Sequence, residues 1–348
     1  MSIQIACNFL EEQEKRNISN VTQESFASPI QLRGRYNRLA SSTLVSPSKV
    51  YLAADTLLVI IDRHNIDGQI LLFNCQNNLQ FLAKTGFSGS GPGEYLGLWD
   101  VQSYGNTLWA FDAVESSITL LNIDSIINNR NYILSQRIRI TQPKIHDFLL
   151  LDETTFIAGY HGREPRFSVF NLNKERLYSF FKYPELPNIY NIDPENFNYN
   201  VKANIYRVNL AHGISRRQMV IGYVYTALLQ VVDYEKRECV LTVQGPDNNF
   251  PPEYVLTNDG RADLSGNGQL GYLDLKATDN FIYGLYSGRS NILDLRANQI
   301  VQYDWSGKPI RRYVLDHDIY SFAIDEKNKK IYGIDASDNP LIEYDLPE

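Results

Sequence analysis

Cysteine is scarce in this chain of 348 residues. The three present, Cys7, Cys75 and Cys239, make an odd count without C-x-x-C spacing. That excludes a disulfide framework and leaves no thiolate zinc motif. Five scattered histidines offer no metal-ligand spacing either. Asp259-Gly260-Arg261-Ala262-Asp263 matches a calcium loop only superficially, because Leu270 stands where the distal glutamate belongs. Neither a metal nor a cofactor is expected. A basic stripe is also missing. The formal net charge is -7, and Arg216/Arg217 and Arg311/Arg312 are isolated doublets. Nucleic acid is therefore not an expected partner, since phosphate neutralisation needs clustered cations. No apolar run approaches the ~20 residues of a membrane helix. Any membrane association is expected only through a lipid anchor.

Helical periodicity is missing as well. No long stretch carries apolar residues at i, i+3, i+4 and i+7, and only Ile123 to Asn129 reads as a short helical turn. What the chain does have is aromatic and β-branched residues, including 23 Tyr and 16 Phe, of the kind that suit a pleated sheet. They recur with a period of roughly fifty residues. Lys49 to Ala53, Leu57 to Ile61, Gln69 to Phe73 and Leu79 to Ala83 form a first unit of four short strands separated by turn residues. Further units begin at Trp99, Ile145, Ile205 and Tyr272, and a last one at Tyr320 shows only three strands before the chain stops. Ile30 to Tyr36 has strand character and belongs to no unit. The reading is an all-β, six-bladed β-propeller of four antiparallel strands per blade, with this N-terminal strand closing the last blade. Closure leaves no edge open to aggregation. Residues 1–28 read as a leader or flexible tether and 29–348 as a single propeller.

Gly89-Ser90-Gly91-Pro92-Gly93-Glu94-Tyr95 follows the fourth strand of the first unit. It resembles the G-x-G-P-G-E-aromatic loop of six-bladed propeller lipoproteins common in Bacteroidetes, described as TolB-like or NHL-like. No helix and no P-loop lysine follow it, so it is not a phosphate cradle. Its glycines and proline suit a tight link between blades. The resemblance implies a binding or scaffold role and a lipid-bearing cysteine, which falls on Cys7. Ile5-Ala6-Cys7 ahead of a polar stretch fits the end of a lipoprotein signal. The expected location is then the periplasm or outer membrane, with the cytoplasm as the alternative if Met1 is the true start.

Alternating strand direction puts the loops between blades on the same face as those joining second and third strands. That face collects the long segments, where binding usually sits. The candidate ligand-binding residues there are Tyr95, Trp99, His146, His161, Arg163, Glu164, Arg261, Asp263 and Tyr272, with Asp147, Tyr190 and Tyr254 beside them. Aromatics interleaved with Asn and Asp in Asn188 to Tyr199 and Asn248 to Tyr254 suit a protein, peptide or carbohydrate ligand. A monomer is expected. No H-E-x-x-H or G-x-S-x-G motif is present, so no catalytic residue is assigned and a non-catalytic binder is favoured over an enzyme. The alternative is a hydrolase or lyase acting on carbohydrate or peptide, using His146, His161 and an Asp263/Asp318 carboxylate pair.

Overall fold

The computed structural model describes residues 18–128, 136–140, 144–185, 199–247, 249–256, 262–266, 268–336 and 341–347. Its strands form six blades. Blade 1 runs through Pro47–Ala53, Leu57–Asp62, Ile70–Asn74 and Gln80–Thr85. Blade 2 runs through Leu98–Tyr104, Thr107–Asp112, Ser117–Asn122 and Gln136–Arg139. Blade 3 uses Ile145–Leu150, Thr155–Tyr160, Phe167–Asn171 and Arg176–Phe180. Blade 4 uses Val208–His212, Gln218–Tyr223, Leu228–Asp233 and Glu238–Gln244. Blade 5 takes Tyr272–Ala277, Phe281–Tyr286, Ala297–Asp304 and the first part of the long strand Pro309–Asp325. That strand bends into blade 6, where it pairs with Lys330–Asp335, which pairs in turn with Leu341–Asp345. One short helix, Ile123–Ile127, falls where a helical turn is read from the sequence.

Burial follows position in the blade. The second strands of blades 1 and 2, LLVIID and TLWAFD, are buried almost throughout because a neighbouring blade covers each face. Outer strands such as Gln80–Thr85 carry exposed residues. The core therefore lies between blades, with clusters such as Val59, Ile61, Leu72, Val101 and Ala110 spanning blades 1 and 2. A buried aspartate ends the second strand in several blades. Asp62 accepts the backbone N–H groups of Val45 and Ser46 at 2.6 and 2.8 Å. Asp112 accepts those of Leu96 and Gly97 at 2.8 and 3.1 Å. Each carboxylate fixes the segment that enters its own blade.

The chain closes differently from the single strand read from the sequence. Only Arg35–Tyr36 completes blade 6, antiparallel to Ile342 and Glu343. Ile30–Leu32 instead adds a parallel fifth strand to blade 5, opposite Tyr313 to Leu315. Gly34 makes the step between them, and a Cβ there would lie 2.3 Å from Ile342 Cδ1. The tether assigned to residues 1–28 is likewise corrected over its described part. Ile18–Asn20 pairs in parallel with Thr242 to Gln244 at the edge of blade 4, and Val21 and Phe26 are buried there. With only three apolar anchors in a polar stretch, periodicity had nothing to register. Residues 18–36 thus cover the outer edges of blades 4, 5 and 6 in succession.

Leu32 is 6% exposed inside the cluster formed with Tyr313, Leu315 and Tyr344. Leu32→Ala should cost about 2–5 kcal/mol, read as a lower midpoint in urea unfolding. An unchanged midpoint would show that the strand contributes nothing to the ring.

Candidate functional site

The first strands of all six blades line a central channel, and in blades 1, 2 and 5 polar side chains project from them at alternate positions. Tyr51 donates to Asp100, joining blades 1 and 2. Gln102 Nε2 donates to the Phe148 carbonyl at 3.1 Å, while its Oε1 accepts Leu150 N–H at 2.7 Å, joining blades 2 and 3. The His212 imidazole meets the Leu150 backbone between blades 3 and 4. Asn209 donates to the carbonyls of Tyr272 and Leu273 at 3.1 and 2.9 Å. Ser321 donates to Asp274 at 2.7 Å and accepts Val50 N–H at 3.2 Å, completing the circuit. Lys49 lies 3.8 Å from Asp100, and Lys276 lies 2.9 Å from Asp274. Burial lowers the Lys49 ammonium pKa despite Asp100 and Asp274.

Two cavities flank this ring. The larger, about 750 Å³, is the channel itself, and the turns at Ala54-Asp55, Tyr104-Gly105 and Glu326-Lys327 line it. It therefore reaches the short-turn face, which the sequence reading passed over. The signal for it was present in the i, i+2 polar alternation of Lys49/Tyr51, Asp100/Gln102 and Asp274/Lys276. The second cavity, about 480 Å³, lies among the long loops of blades 2, 3 and 4 and shares Trp99, Asp147 and Val208 with the channel.

This second cavity gathers Trp99, His146, Asp147, His161 and Asp263 from the residues read as candidates. The His146 and His161 rings meet at a tilt of 53° with centroids 5.0 Å apart, and His161 Nε2 lies 2.9 Å from Asn204 Oδ1 on the helix Tyr199–Ile205. Asp147 Oδ2 lies 4.0 Å from Arg166 Nη2. The opposite residue is Gly159, where a Cβ would stand 2.6 Å from that of Asp147. Asp263 sits on the hairpin Tyr254–Leu256/Ala262–Leu264, its Oδ1 accepting the Leu264 N–H at 2.8 Å. Sequence reasoning missed Arg166, Arg207 and Tyr225, which line the same cavity. A lone arginine at a strand boundary gives no pattern that would have revealed it.

The other candidates stand elsewhere. Tyr95 and Tyr272 are fully buried, and the Tyr272 hydroxyl donates to the Gly245 carbonyl at 2.8 Å, so neither offers a ligand surface. Tyr254 is also core. Tyr95 anchors the glycine loop, whose Glu94 carboxylate accepts Gly91 N–H at 2.8 Å. A Cβ on Gly89 would come within 2.1 Å of that carboxylate, so the loop closes only around glycine. Glu164 accepts Tyr183 N–H at 3.0 Å, and the Arg163 guanidinium covers the Tyr160 ring at 5.3 Å. Asp318 pairs with Arg289 and does not line the cavity with Asp263, so that carboxylate pair is not assembled. Arg261, Tyr190 and Cys7 lie outside the described residues. Among the described residues no three His, Cys, Asp or Glu side chains group to hold a metal ion. No helix among them is long and apolar enough to cross a membrane.

A family model for TolB-like 6-blade propeller-like proteins matches residues 34–327. The chain belongs to this family. Among solved structures, it is similar to a Bacteroides fragilis protein described, by inference, as exported. That likeness has a TM-score of 0.54 at 11% identity and covers 95% of this chain and 99% of the other. It is also similar to the WD40 repeats of RRP9, with a TM-score of 0.50 at 11% identity over 86% of this chain and 79% of the other. At such identities the likeness is one of fold. No curated protein matches the sequence.

Burial, then the neighbouring His161, lowers the His146 pKa, with Asp147 opposing. The unfolded chain therefore takes up this proton first, near pH 6.5. The stabilisation from neutral His146 is full above that pH and is lost as pH falls through the lower folded pKa. NMR titration should place the His146 midpoint below about 6.5. A midpoint above it would contradict the packing described.

Proposed function

We propose that this TolB-like propeller is a non-catalytic binding protein of the cell envelope, taking its ligand at the long-loop cavity. The observation that carries this reading is convergence. Trp99, His146, His161 and Asp263 come from separate segments and line one concavity beside the channel. Its volume, about 480 Å³, falls within the range of small-molecule sites. The hydrogen bonds found there hold side chains in place: His161 is held by Asn204, and Asp263 caps its own strand. These partners favour recognition over acid–base chemistry. The ring of inter-blade bonds makes the scaffold rigid, so the loops bear the specificity.

Export fits the likeness to a Bacteroides protein described, by inference, as exported, and Cys7 is the residue proposed to carry lipid. Within this reading the chain is a monomer and its partners are a carbohydrate, peptide or protein.

Two measurements test the proposal. Glycan and peptide arrays probed with folded protein should return ligands whose binding falls at least about fivefold in Trp99→Ala, since a central aromatic contributes more than ~1 kcal/mol. Ligands indifferent to Trp99→Ala and His161→Ala would move the site away from this cavity, and turnover of a bound glycoside or peptide would replace the binder with a hydrolase. Mass spectrometry of the protein from its native membrane should find acyl chains on Cys7. An unmodified Cys7 behind a retained Met1 would contradict anchoring.

A further inference from the structure

Cations gather around the Trp99 side of the cavity. The Trp99 ring has the Arg63 guanidinium at 4.6 Å, the Arg207 guanidinium at 5.6 Å and the Lys49 ammonium at 5.5 Å. Lys49 is balanced by Asp100 at 3.8 Å. Neither arginine makes an ion pair with a carboxylate among the described residues, although the Asp100 charge reaches Arg63. Mutual repulsion between Arg63 and Arg207 is one of the forces that lower the Arg63 pKa, after burial.

Arg166 is the second, independent sign. Its side chain is only 3% exposed and lines the cavity, with one bond from Nη2 to the Tyr206 carbonyl at 2.9 Å. Its Nε and Nη1 are buried without any acceptor among the described residues. Orphaned donors on a buried charge are costly and uncommon in a native structure. The nearest carboxylate, Asp147, stands off at 4.0 Å.

Resting on the cavity reading above, we infer that the ligand is a small monocarboxylate bearing hydroxyl groups, the chemistry of a sugar acid, held by Arg207 and Arg166 beside Trp99. The charges suit a monoanion: Arg166 and Arg207 line the cavity with Asp147 and Asp263, and Arg63, on the Trp99 ring though not in the lining, adds a cation that Asp100 partly offsets. A phosphate dianion would face both aspartates with too few cations. Those same aspartates are acceptors for ligand hydroxyls, and guanidinium forks suit a planar carboxylate. The ring faces of Trp99 are occupied by cations, so recognition runs through charge and hydrogen bonds more than through stacking.

Titration calorimetry and thermal shift at fixed ionic strength decide this, using glucuronate, galacturonate and mannuronate, with glucose and inorganic phosphate beside them. At least one uronate should bind and raise Tm, glucose should not, and phosphate should bind at least tenfold more weakly. Arg207→Met, at an exposed position and therefore safe for folding, should weaken uronate binding tenfold or more. Arg166→Met should do the same if it folds. No uronate binding, or binding unchanged in Arg207→Met, overturns the inference. Preferential binding of glucose or a neutral peptide, lost in Trp99→Ala, also overturns it while leaving the cavity reading standing. Binding unaffected by any cavity substitution overturns both.

Discussion

Everything in this molecule depends on one short antiparallel pairing, Arg35 with Glu343 and Tyr36 with Ile342, between the two ends of the propeller. Asn37 reinforces it, donating its backbone N–H to the Leu341 carbonyl and its side-chain amide to Glu343, both at 2.9 Å. The Tyr36 hydroxyl reaches Asp335 at 3.0 Å, and Arg35 pairs with Asp345 at 2.8 Å. A propeller blade buries its faces only against neighbours, so a ring held open at blade 6 would expose apolar faces as well as strand edges. Closure contacts separated by some three hundred residues also carry a large loop entropy, which the added strands on blades 4 and 5 offset by bringing the N-terminal segment along the rim.

Closure at the rim makes the inner circuit possible. Tyr51, Gln102, His212, Asn209, Asp274 and Ser321 each bridge a junction between blades, with backbone groups as most of the partners. Such a circuit fixes the start of each first strand, and those starts carry Trp99 and His146 to the cavity mouth. The arginines that complete the cavity enter from loops: Arg166 before a third strand and Arg207 before a first strand. In the proposed reading, a rigid inner circuit with charged loop residues above it separates stability from recognition. Substitutions at Arg207 or Asp263, both exposed, are therefore free of the core, while Tyr272 and Tyr95 belong to it.

The fold was legible because strand periodicity and turn residues repeat six times, and because an incomplete last unit demands a partner from the other end. The division of Ile30 to Tyr36 was not legible, since Leu32 and Tyr36 look alike as strand residues and only the contact of Gly34 with Ile342 places the step. The long loops were legible from segment lengths, and Trp99, His146, His161 and Asp263, which line one cavity, were read from them. Tyr95 and Tyr272 misled because an aromatic beside a loop reads the same whether it faces solvent or supports the loop from beneath. Arg166 and Arg207 were invisible for the opposite reason: a guanidinium gains meaning only from the partners it lacks, and those are set by tertiary packing.

Native-state hydrogen exchange tests the closure most directly. Backbone amides of Leu341–Asp345 that bond to neighbouring strands should exchange only with global unfolding, on the same timescale as Leu58 to Ile60 in the middle of blade 1. Exchange of the Leu341–Asp345 amides through a separate opening of much lower free energy, with blade 1 still protected, would contradict an account in which the ring stands or falls with this pairing.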